Sequence, residues 1–109
     1  MFVHIVCFKY KVGVAAAERQ EHKACVCALA DIDGVVEIAM GQDLIRSPRS
    51  ADMGLLVLFR DQQAYENYRD HPRHQPVGQL SISLCESIVA ADFEAEGWSD
   101  WGRPKGRPL

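Results

Sequence analysis

The sequence predicts an α+β fold with the element order β-α-β-β-α-β. Two observations carry this reading. Four short segments, at 2–10, 35–40, 53–59 and 88–93, are rich in β-branched and aromatic residues, as strands are. Between the first two, and again between the last two, apolar residues recur at helical spacing. With 109 residues, the chain is long enough for one such domain and too short for two.

The first strand runs from Phe2 to Tyr10. Its alternating sets are His4, Val6, Phe8, Tyr10 and Val3, Ile5, Cys7, Lys9. Both are largely apolar, so this strand is expected to be covered on both faces. A helix follows from Val14 to Ile32, opened by alanines and by Glu18, which suits the positive end of the helix dipole. Ala24, Cys25, Ala28, Leu29 and Ile32 follow helical spacing, as do His22, Val26 and Leu29. Asp33-Gly34 stops the helix. Val35 to Met40 is the second strand, and 42–52, with Ser47-Pro48, is a loop. Met53 to Phe59 is the third strand and is almost wholly apolar. Asp61 can cap a short helix through Tyr68, with Ala64, Tyr65 and Tyr68 on one side. Pro72 ends that helix at or before His71. A second short helix covers about Val77 to Glu86, with Leu80, Leu84 and Cys85 inward. Ile88 to Phe93 is the last strand. This order is the ferredoxin-like split βαβ plan, an antiparallel sheet with helices on one face.

Residues 1–94 form that domain. The segment 95–109 is a tail broken by glycines and prolines, and it holds both tryptophans, Trp98 and Trp101. It reads either as a flexible end or as a Trp-anchored strap on the domain or a partner subunit.

Composition narrows the function classes. Hydrophobic residues make up 48% and charged residues 25%, a globular balance. The net charge is −3, and no basic stripe precedes the last seven residues, which argues against nucleic acid. No apolar run approaches the ~20 residues of a membrane span. The opening lacks a basic leader and a small-residue cleavage site, so a cytoplasmic protein with free thiols is expected. Cys7, Cys25 and Cys85 read as small buried apolar residues. Cys25-Val26-Cys27 is no metal motif, because its thiols lie on different sides of a helix.

Histidines are the candidate chemical groups. His4 lies inside an apolar strand, so it must find a hydrogen-bond partner or face a cavity. His22 reads as a partly exposed residue near the start of the first helix. The densest polar-aromatic cluster is Tyr68-Arg69-Asp70-His71-Pro72-Arg73-His74. His71 and His74 alone are too few for a metal, and Asp70 and Asp61 are weak further ligands, so no metal is expected. G-x-G-x-x-G, P-loop, G-x-S-x-G and H-E-x-x-H patterns are missing.

Two stretches resemble the stress-responsive A/B barrel domain (Dabb) family. His4-Ile5-Val6-Cys7-Phe8-Lys9-Tyr10-Lys11 is similar to its first strand, and 68–74 to its Y-x-x-H-P-x-H segment. Leu55-Leu56-Val57-Leu58-Phe59 and Val89-Ala90-Ala91-Asp92-Phe93 fit in order and spacing. The resemblance spans about residues 2–94. It implies a protomer that pairs through its sheet face into a homodimeric α/β barrel, which would cover the second apolar face. A lone protomer would leave that face in water.

Some plant members of that family are polyketide cyclases that close a ring by intramolecular aldol condensation, without metal or organic cofactor. The resemblance places His4, Tyr68 and His74 at the catalytic positions. A small-molecule pocket walled by Val6, Phe8, Val26, Leu29, Leu55 and Val57 is implied, with His22 and His71 near it. His22 stands where the cyclases carry a bulky aromatic. In the aldol reading His74 is the base, Tyr68 orients it or donates to the oxyanion, and His4 binds a substrate oxygen. Two other readings stand beside it: a non-enzymatic stress or assembly protein, and a cofactor-free monooxygenase.

Overall fold

A computed structural model describes residues 1–96. Its elements are β1 (Phe2–Tyr10), α1 (Ala16–Cys27), β2 (Val35–Gln42), β3 (Met53–Phe59), α2 (Gln62–Asp70), α3 (His74–Leu84) and β4 (Cys85–Glu94). β1 pairs with β3 and β4, and β2 pairs with β3, every pairing antiparallel. The strand order β2-β3-β1-β4 is that of the ferredoxin-like plan. The readings made for the tail, Trp98 and Trp101 included, lie outside the described residues.

Helix boundaries moved for physical reasons. α1 ends at Cys27, and a 3-10 turn (Ala28–Asp31) carries Leu29 and its neighbours to the stop at Gly34. Gly34 has φ +91, and a Cβ there would lie 2.5 Å from the Ala64 side chain, so α2 packs directly on this turn. Asp61 caps α2, its carboxylate accepting from the Ala64 amide at 2.9 Å. α3 begins at His74 rather than Val77. Pro76 is then in the first turn, where a missing N–H costs nothing. Cys85 and Glu86 belong to β4 and not to the helix, because Cys85 pairs with Tyr10, with Glu86 as the extra residue of a bulge in β4.

Strand alternation divides the sheet into two faces. Phe2, Val6, Phe8 and Tyr10 point to the helices and are buried with Leu55, Val57 and Phe59 of β3. The other face is also apolar. Ile5 and Cys7 pair there with Leu56 and Gly54 of β3 and with Ala91 and Val89 of β4. Val3 and Leu58 are buried on this face, whereas Val89 is 63% and Phe93 44% exposed. Cys7 is exposed on it, and Cys25 is half-buried, so the expectation of core thiols holds only for Cys85. Among the described residues no helix is long and apolar enough to cross a membrane.

Candidate functional site

Three elements bring the polar groups of the helix-facing side together. In β1, His4 shares its face with Val6 and Phe8 and is in register with Asp92 of β4. Its Nδ1 bonds the Asp92 carboxylate, which fixes the ring and leaves Nε2 as its other polar atom. Tyr68 projects from α2 and is 2% exposed. Among the described residues its hydroxyl has no hydrogen-bond partner. His74 opens α3, with its ring centroid 4.8 Å from that of Tyr68. It is half-buried and likewise without a side-chain hydrogen bond among the described residues. Tyr65 packs against the His4 ring, with centroids 5.2 Å apart. His4, Tyr68 and His74 face common ground.

These groups line one cleft of about 280 Å³. Its walls include His4, Val6, Phe8, Val26, Leu55, Tyr68 and His74, all expected from the sequence. α3 and β4 add Val77, Gly78, Ser81, Ile82, Ile88 and Ala90. Two other depressions, of about 390 and 460 Å³, contain none of the histidines.

Four expected residues are placed elsewhere. Leu29 and Val57 are buried in the core behind the cleft. His71 belongs to the turn between α2 and α3, where its Nδ1 accepts from the Arg73 amide at 3.0 Å. His22 is fully buried and not partly exposed. Its ring edge packs on Phe8, and both nitrogens are bonded: Nδ1 to the Tyr10 hydroxyl at 2.8 Å, Nε2 to Ser81 Oγ at 2.7 Å. Full satisfaction is what makes its burial affordable.

Burial tunes the cleft. It holds His74 below the ordinary histidine value, helped by the neighbouring His4 and opposed by Asp70. Burial first, then Tyr65 and Cys27, push the Tyr68 phenol up to about 12. Near neutral pH the site therefore offers an unprotonated imidazole beside a protonated phenol. Among the described residues no three His, Cys, Asp or Glu side chains gather as metal ligands would.

Asp92 and Ser81 are the groups that sequence reasoning missed. Asp92 breaks the period-2 set Ile88, Ala90, Asp92, and Ser81 lies two helical turns beyond His74. Both signals are faint without the pairing register and the packing of α3.

Residues 2–95 match the family described as Stress responsive A/B Barrel Domain. The chain belongs to that family. The A/B barrel domain matches none of the curated proteins with which it was compared. Among solved structures, it is 26% identical to a Dabb family protein with a ferredoxin-like fold from Mesorhizobium loti, covering 88% of this chain and 97% of that one, with TM-score 0.74. A dimeric ferredoxin-like protein of unknown function from Jannaschia is also 26% identical, with coverage 86% and 98% and TM-score 0.75. A hydroxynitrile lyase from Passiflora edulis shares the fold of the A/B barrel domain at 20% identity, with coverage 87% and 94% and TM-score 0.79.

Proposed function

We propose that this A/B barrel domain binds a small, largely apolar carbonyl compound in the His4–Tyr68–His74 cleft and carries out cofactor-free acid–base chemistry on it. The observation that carries this is a pair of polar groups in an apolar cleft that have no side-chain hydrogen bond among the described residues. A buried phenol and an imidazole so placed are suited to take their partner from a ligand or water.

The aldol form of the chemistry uses these groups directly. His74 removes a proton from the carbon between two carbonyls, and the electron pair moves into an enolate. Tyr68 donates a hydrogen bond to the enolate oxygen. The enolate carbon attacks a third carbonyl, farther along the same molecule, forming a C–C bond, and the new alkoxide takes its proton back from His74. His4, oriented by Asp92, accepts through Nε2 from a substrate hydroxyl. Lyase chemistry on a hydroxynitrile likewise needs a base and a donor in one apolar site, and the Passiflora likeness is in keeping with this.

Proton exchange at the acidic carbon of a β-ketoester in D2O, followed by NMR, tests the first step. Wild-type protein is expected to accelerate exchange, His74→Ala to lose about 10²-fold or more of that acceleration, and Tyr68→Phe a smaller part. Exchange at the buffer rate in the wild type would sink the acid–base reading.

The protein is also proposed to act as a homodimer through the second sheet face. Val89 and Phe93 are exposed there beside Ile5 and Leu56, and the Jannaschia relative of the same fold is dimeric.

A further inference from the structure

We infer that Ser81 is a second polar anchor of the cleft, held in place by His22 and Tyr10, and that the cleft selects an apolar ligand with an oxygen function at each end. This rests on the ligand-binding reading above and gives it a substrate class.

α3 supplies the geometry. His74, Gly78 and Ser81 line the cleft along one helix face, and seven residues of rise put Ser81 roughly 10 Å from His74 along the axis. Gly78 stands between them and has no side chain to divide the space. The walls on either side are apolar: Val6, Phe8, Leu55, Ile82, Ile88. The cleft thus has its polar groups at its two ends, His4, Tyr68 and His74 at one and Ser81 at the other.

The hydrogen bonds behind Ser81 leave it able to serve a ligand. The Ser81 hydroxyl donates to the Val77 carbonyl at 3.1 Å. His22 Nε2–H then donates to Ser81 Oγ, and His22 Nδ1 accepts from the Tyr10 hydroxyl. This assignment satisfies all three side chains. The reverse one would leave the buried Tyr10 proton without an acceptor among the described residues. Within α3 the Val77 carbonyl already accepts the helical bond from the Ser81 amide, so the hydroxyl bond to it is a surplus one. Ser81 can turn its proton to a ligand carbonyl, or accept from a ligand hydroxyl with its remaining lone pair. His22 fixes Oγ in both cases. It is a positioning residue, since Ser81 lines the cleft and His22 does not.

Two ketones that differ in one hydroxyl test this: 4-(4-hydroxyphenyl)butan-2-one and 4-phenylbutan-2-one. Each is titrated calorimetrically into the full-length protein. The wild type is expected to bind the phenol about fivefold tighter, the worth of one net hydrogen bond. Ser81→Ala is expected to abolish that preference while its affinity for the plain ketone stays within twofold. His22→Phe should do the same, and His22→Gln, which keeps a donor and an acceptor, should restore part of it. Equal affinities in the wild type, or a preference that survives Ser81→Ala, would overturn the second anchor and leave the binding reading intact. Failure of both ketones to bind would overturn the binding reading and this inference with it.

Discussion

His74 and His22 are both neutral imidazoles near pH 7, for the same cause and with different consequences. Burial lowers each below the ordinary histidine value. In His74 the effect is on reactivity. The protein-catalysed part of β-ketoester exchange should be flat from pH 7 to 9 and fall in acid with an apparent pKa below ~6.5. The Tyr68 phenol, at about 12, adds no alkaline limb in that range. An acid limb above pH 7 would remove His74 as the base. In His22 the effect is on stability. Its folded form binds a proton less readily than the unfolded chain, so stability is highest above the unfolded value of ~6.5 and falls as pH drops toward the folded one. Melting curves at pH 8 and pH 5 check this. His22→Phe should be less stable at pH 8 by about 1–3 kcal/mol, because Tyr10 and Ser81 lose their partner, yet it should lose less on acidification.

Two glycines set element positions, and they are expected to respond in opposite ways. Gly34 combines a positive φ with a contact that leaves no room for a Cβ against Ala64. Gly34→Ala should destabilise by about 1–3 kcal/mol from backbone strain alone, with displacement of α2 adding to it, as denaturant melts would read. Gly78 is different, being interior to α3, where an added Cβ would lie 3.7 Å from the His74 ring, an ordinary contact. Gly78→Ala should stabilise by roughly 0.5–1 kcal/mol through helix propensity while weakening ketone binding, since the new methyl enters the cleft. A variant that gains stability and binds unchanged would show that ligand does not pass over this turn.

At the scale of the whole molecule, the sheet has one face for the helices and one to spare. The helix face holds the core and the cleft, and the other presents Ile5, Leu56, Val89 and Phe93. Light scattering on the purified chain is expected to give a dimer. Val89→Asp should shift it toward monomer, because a carboxylate would be buried unpaired in the interface. A wild-type monomer with normal solubility would end the proposal of pairing through this face.

The strands, their order and the fold class were legible in the chain itself, because period-2 and helical patterning are local properties of the sequence. The third strand, Met53 to Phe59, matched to the residue. The boundary between α3 and β4 was not legible, because it depends on the pairing of Cys85 with Tyr10, far away in the chain. His4, Tyr68 and His74 could be picked out by their motif. That they line one cleft was settled by the register of β1 and by the packing of α2 and α3 over it. Asp92 acquired a role only as the cross-strand neighbour of His4. His22 changed from an edge residue to a buried link between Tyr10 and Ser81, three groups from β1, α1 and α3. Sequence pattern determines which face a residue takes on its own element. Whether a polar group there finds a partner, and so can be buried, is decided only when separate elements meet.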